Sequence, residues 1–103
     1  MSKILQIQNM LATDDNDCFL LHALGLEYLK INDTENAIIQ FKKVLTANQN
    51  YVGTYYHLAK TYEAIMLTEA AIVTYEKGME IAKAAKENHA YNELLSAYEE
   101  LTM

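Results

Sequence analysis

The chain has 103 residues, 51% apolar and 21% charged, which is long enough for one modest hydrophobic core and too apolar for a disordered segment. Its formal net charge is −6 and no run of lysines or arginines stands out, which argues against nucleic acid and against an anionic membrane surface as partners. A single cysteine, Cys18, excludes an internal disulfide, and with no proline and three glycines the composition favours helices with short joints over strands with tight turns.

At the N-terminus, MSKILQIQNML carries one lysine and a short apolar run broken by Gln6, Gln8 and Asn9. It is a poor signal peptide, and no stretch is long enough to span a bilayer, so a cytoplasmic protein is expected. Between Lys3 and Leu11, the residues Ile4, Ile7 and Leu11, with Met10 half a turn away, fall on one side of a helix. The polar break Thr13-Asp14-Asp15-Asn16-Asp17 is rich in cap formers. A second helix follows to Lys30, with Leu21, Leu24, Gly25 and Tyr28 on one stripe. After Asn32-Asp33-Thr34, with Asp33 as the expected cap, a third helix runs to about Ala47 on a core stripe of Ala37, Phe41, Val44 and Leu45. A fourth helix is expected over about 52–65, a fifth over about 69–83 and a sixth over about 89–101. The last carries Ala90, Tyr91, Leu94, Leu95, Tyr98 and Leu101 at helical spacing.

Two of these hairpins are copies of each other. Laying Cys18–Tyr51 over Val52–Ala85 needs no gap: Leu24 falls on Leu58, Tyr28 on Tyr62, Ile31 on Ile65, Ala37-Ile38 on Ala71-Ile72 and Phe41 on Tyr75. A unit of this kind buries its apolar face against a neighbour, which is why it comes more than once. The small residues at Gly25/Ala59 and Ala37/Ala71 let two helices approach closely, and Tyr28/Tyr62 and Phe41/Tyr75 fill the space around them.

The period and these residues resemble the tetratricopeptide repeat. The first copy supplies Leu24-Gly25, Tyr28, Ala37 and Phe41, with Val44 where a last alanine is usual. The second supplies Leu58-Ala59, Tyr62, Ala71 and Tyr75, with Gly78 in that last place. The usual tryptophan is Leu21 in one copy and Tyr55 in the other, and the usual joint proline is Gln49 and then Lys83. The resemblance implies an all-α fold of about six helices, antiparallel hairpins stacked as a short right-handed superhelix. The expected organisation is one domain over 1–103, with an N-terminal helix at 3–11, repeats at 18–51 and 52–85, and a C-terminal capping helix at 88–101.

It also implies a non-enzymatic module that binds a protein or peptide along a concave face lined by the first helix of each repeat. On this chain that face is Phe19, His22, Leu26 and Leu29 in the first repeat, and Gly53, Tyr56, Lys60 and Glu63 in the second, with Ala90, Glu93 and Ala97 of the last helix beside them. Three arrangements fit: the N-terminal helix covers Phe19, Leu26 and Leu29, a partner does, or a second copy does. Some members of the family grip a terminal carboxylate with basic and amide side chains. The matching places here include His22, Leu26 and His57, and Leu26 cannot donate a hydrogen bond, so that activity is not carried over.

The turn of the second repeat departs from the first: Asn32-Asp33 becomes Met66-Leu67. Two large apolar residues in a turn ask for a cover, either the local fold or an interface with a partner or a homodimer mate. Tyr56 is the first choice among the tyrosines for a partner contact. Chemistry is not expected. Cys18 and His22 share a helical face, but His57 and His89 lie elsewhere and no second cysteine exists to complete a metal site. No phosphate-binding loop, HExxH or nucleophile elbow occurs, and Glu99-Glu100 reads as a solvated helix end. No cofactor, metal or catalytic residue is therefore assigned. The expected partner-binding set is Phe19, His22, Leu26, Tyr56, Lys60, Glu63, Met66 and Leu67.

Overall fold

Side-chain oxygens start each of the first three helices. In the computed structural model, which describes residues 2–103, the Ser2 hydroxyl accepts from the Leu5 amide at 3.2 Å and opens α1 (Lys3–Leu11). Asp17 accepts from the Leu20 amide at 3.1 Å ahead of α2 (Cys18–Lys30). Asp33 accepts from the Asn36 amide at 3.2 Å ahead of α3 (Thr34–Ala47). Each bond satisfies an amide that the first turn of a helix leaves unpaired. The next three helices start without that help. Val52, Leu67 and Glu87 precede α4 (Gly53–Ala64), α5 (Thr68–Ala84) and α6 (Asn88–Thr102) and make no side-chain cap bond. Among the described residues there is no strand.

One turn is used three times. Asn32, Met66 and Lys86 stand at φ 61, 64 and 60°, in the left-handed region. The amide after each reaches back to the preceding helix at 2.9 Å: Asp33 to the Tyr28 carbonyl, Leu67 to that of Tyr62 and Glu87 to that of Ala82. This is the Schellman closure, which satisfies carbonyls at a helix end. Asparagine tolerates the left-handed conformation, whereas for a methionine it costs roughly 1 kcal/mol.

The chain divides into two compact units, the first ending at Gln49 and the second running Asn50–Met103. In the first, α2 and α3 form a hairpin and α1 lies on α2. Ile7, Leu11, Leu21, Leu24, Ala37, Phe41 and Val44 are buried there. Gly25 is required: a Cβ on it would sit 2.8 Å from Cδ1 and 2.9 Å from Cζ of the fully buried Phe41 ring. In the second unit, α4 and α5 form the hairpin and α6 packs mainly on α5. Its buried side chains include Tyr55, Leu58, Ala59, Ala71, Tyr75, Ala82 and Leu94. Gly78 is the crossing point, since a Cβ there would meet Tyr55 Cβ at 2.6 Å and Leu94 Cδ1 at 3.1 Å.

Of the expected stripes, Ile7, Leu11, Leu21, Leu24, Gly25, Ala37, Phe41, Val44 and Leu94 are buried, while Ile4, Leu45, Ala90, Tyr91, Leu95, Tyr98 and Leu101 are half-buried. Met10 is exposed because Ile7 and Leu11 already occupy the contact line of α1. Tyr28 and Tyr62 are half-buried, and the Tyr28 hydroxyl accepts an exposed hydrogen bond from Gln8. Gln40 is buried on α3, and Ala97 is buried on α6 where an open-face position was expected. Helical spacing places Ala97 one turn from the buried Leu94, on the same stripe.

The second turn combines a left-handed methionine with an uncapped helix start, as the third does with Lys86 and Glu87, and of these two only the second has a capped counterpart one repeat earlier. Replacing Met66→Asn and Leu67→Asp restores the chemistry of Asn32-Asp33. Urea unfolding of this double variant should show a gain of about 1–2 kcal/mol over the parent.

Candidate functional site

The first-helix face of the first unit is built on α2. Phe19, His22, Leu26 and Leu29 recur at three- and four-residue spacing and therefore share one side of the helix. Phe19 is 71% exposed, and His22, Leu26 and Leu29 are half-buried. Of the three arrangements, cover by α1 does not extend to Phe19. The Gln8 side-chain amide donates to the Tyr28 hydroxyl at 3.3 Å, and Tyr28 lies on the opposite side of α2 from Phe19. His22 rests its ring on Phe41, centroids 5.5 Å apart and planes at 48°. That contact fixes the imidazole as part of the hairpin wall.

Beside it, the Cys18 thiol lies 3.7 Å from the Val44 carbonyl. Burial, then the neighbouring charges of Asp17 and Asp14, raise its pKa above the ordinary thiol value, which disfavours a thiolate. Among the described residues, no three His, Cys, Asp or Glu side chains gather where they could share a metal ion.

The second unit carries the more elaborate face. On α4, the Lys60 ammonium stands 5.8 Å from the centre of the Tyr56 ring and 3.8 Å from a Glu63 carboxylate oxygen. Glu63 is itself held from behind, accepting a hydrogen bond from the hydroxyl of Tyr75 on α5. Tyr75 is fully buried. Burial, then the hydrogen bond and charge of Glu63, raise its pKa far above the ordinary phenol value, so the hydroxyl stays a donor. His57 packs edge-on against Tyr56 at 5.7 Å. Burial lowers its pKa below the ordinary imidazole value, against a smaller opposing pull from Glu93 on α6.

Thus Tyr56, Lys60 and Glu63 are brought together in one unit, and Phe19, His22 and Leu26 line one helix face in the other. Met66 and Leu67 follow at the turn between α4 and α5, where the Met66 amide donates to the Glu63 carbonyl at 2.9 Å. There Ile65, Met66 and Leu67 are 41%, 86% and 49% exposed, so local packing does not supply their cover.

The Tyr75–Glu63 pair was not singled out beforehand, although the repeat contains its signal. One period earlier, Phe41 stands for Tyr75 and Leu29 for Glu63. A hydroxyl and a carboxylate in one copy are replaced together by two apolar side chains in the other. Losing both partners of a buried hydrogen bond costs far less than orphaning one.

Both copies are matched by a profile of known repeats. The tetratricopeptide repeat profile aligns with residues 20–51 and 52–84. The chain belongs to the tetratricopeptide repeat family. Among solved structures, a tetratricopeptide repeat domain protein from Salinibacter ruber is 36% identical, with a TM-score of 0.82 over 86% of this chain and 90% of that one. A protein from Bordetella parapertussis is 20% identical, with a TM-score of 0.84 over 98% and 88% of the two chains. The TPR2B domain of yeast Sti1, solved in a complex with pHsp70, is 15% identical, with a TM-score of 0.89 over 96% and 79%. The last two similarities are ones of fold. No curated protein matches the chain. The tetratricopeptide fold is generally a protein–protein interaction module and the family is generally non-enzymatic. No helix among the described residues is long and apolar enough to cross a membrane.

A double-mutant cycle tests the buried pair. Tyr75→Phe and Glu63→Leu should each cost about 1–2 kcal/mol, the modest end for a charged hydrogen bond because Glu63 keeps some solvent contact. Combined, as in Phe41 and Leu29, they should cost less than the sum by roughly 1 kcal/mol in urea unfolding.

Proposed function

We propose that the chain is a non-enzymatic interaction module that takes a segment of a protein or peptide partner on the first-helix faces of its repeats. The contacts are Phe19, His22 and Leu26 on α2, and Tyr56, Lys60 and Glu63 on α4. The observation that carries this reading is the α4 arrangement. Lys60 is oriented by an aromatic ring and a carboxylate, and that carboxylate is anchored by the buried Tyr75 hydroxyl. Side chains already held in place lose less freedom on binding, and this favours recognition over a merely solvated surface. Tyrosine offers a large rigid contact with a polar tip, which suits a contact residue. Phe19 adds exposed apolar area of the kind that a partner side chain can cover.

A second reading, a self-associating subunit, is favoured by a different observation. Three consecutive large apolar residues, Ile65 to Leu67, are exposed at one turn.

The first reading is tested by parallel affinity capture and quantitative mass spectrometry. The parent chain and a Tyr56→Ala, Lys60→Ala variant, equal in stability by circular dichroism, serve as baits. The parent should retain at least one protein that the variant loses by about tenfold or more, which corresponds to roughly 1.4 kcal/mol. Identical captures by both baits would contradict it.

A further inference from the structure

The turn Ile65–Met66–Leu67 goes against local preference twice. Met66 holds a left-handed conformation at φ 64° where Asn32 stands one repeat earlier. Leu67 occupies a cap position that Asp33 fills with a hydrogen bond in the other copy. Burial does not repay the change at Met66, which is 86% exposed, and repays that at Leu67 only in part, since it is 49% exposed. A local rule broken without an internal gain points to a role outside the unit. Glu69 follows in the first turn of α5, exposed and without an ion-pair partner among the described residues.

The first unit carries a surface of matching character. The loop before α2 and the solvent side of α3 enclose an open groove of about 690 Å³. Ile39 and Ala47 give it apolar area, and Lys42 and Lys43 give it positive charge against the single opposing charge of Asp15. Both lysines are exposed and unpaired among the described residues. In a chain of net charge −6 this is the one place where two cations adjoin.

The geometry points to self-association in which the Ile65–Leu67 turn of one copy enters the Lys42/Lys43 groove of a second copy, with Glu69 set against the lysines. This assignment rests on the self-association reading and names its two mating surfaces. Apolar tip meets apolar groove, and the flanking charges are opposite, which selects register and partner. Each copy has one tip and one groove, so the contact joins unlike surfaces of two copies. The contact is small, and the association is accordingly weak, with a dissociation constant of roughly 10–500 μM.

Sedimentation velocity of the full chain, from dilute solution to about 1 mM, tests the assignment. The parent should rise above its monomer mass of 11.7 kDa as concentration increases. M66N/L67D, E69K and K42E/K43E should each weaken association by about tenfold or more. The first of these is expected to fold better than the parent, so its loss cannot be ascribed to unfolding. Mixing E69K with K42E/K43E should restore association that is weakened in each alone, because the reversed charges again oppose each other. A parent that remains monomeric throughout overturns self-association altogether. An associating parent that is insensitive to K42E/K43E but sensitive to M66N/L67D overturns the groove alone. Insensitivity to both overturns the tip as well.

Discussion

Each unit depends on a place where one helix has no side chain and its neighbour has an aromatic one. At Gly25 the space that a Cβ would take belongs to the Phe41 ring, and at Gly78 it belongs to Tyr55, with Leu94 just behind. Burial of an aromatic ring removes a large apolar area from water, but only if the opposing backbone can come close enough to close over it. The glycines make that approach possible at a cost in helix propensity of about 1 kcal/mol each. The same logic recurs with alanine at Ala37, Ala59 and Ala71, all with no exposed surface. Because the contact is set by shape, it tolerates exchange of Phe41 for Tyr75 while holding the small residues in step.

On that common frame the two units have diverged in how they treat polar groups. The first begins its three helices with Ser2, Asp17 and Asp33 and keeps its hairpin wall apolar, with His22 laid on Phe41. The second omits side-chain caps and moves its polar investment to the α4 face, where Tyr75, Glu63, Lys60 and Tyr56 form a chain of contacts from core to surface. Caps contribute about 1 kcal/mol each to stability and nothing to recognition. A buried hydroxyl that orients a surface carboxylate contributes to stability as well, and in addition positions a group on the surface. The first unit thus places its side-chain hydrogen bonds at helix starts, and the second places them along the α4 face.

Much of this was legible in the letters because packing forces them. The pairs Gly25/Ala59, Ala37/Ala71 and Phe41/Tyr75 repeat, so the hairpins and their cores follow from the period. Asp33 announced itself as a cap by residue type. What escaped has physical causes. Lys86 takes the left-handed turn position before α6, yet lysine carries no mark of that conformation. The exposure of Phe19 turns on which side of α2 the first helix chooses, a tertiary matter fixed by Ile7, Leu11 and the Gln8–Tyr28 bond. Gly78 looked like a departure from an expected alanine, whereas the reason for it is Tyr55, twenty-three positions earlier on another helix. Candidate contact residues were the hardest to weigh, since face membership follows from spacing but the orientation of Lys60 does not.

The claim that steric closeness at glycine governs the fold is tested most directly by urea unfolding of Gly78→Ala. Helix propensity alone would make this variant more stable by about 1 kcal/mol. Overpacking against Tyr55 Cβ, an atom too close to its own backbone to swing away, predicts a loss of about 1–3 kcal/mol instead. A gain in stability would contradict the account, because the two effects carry opposite signs.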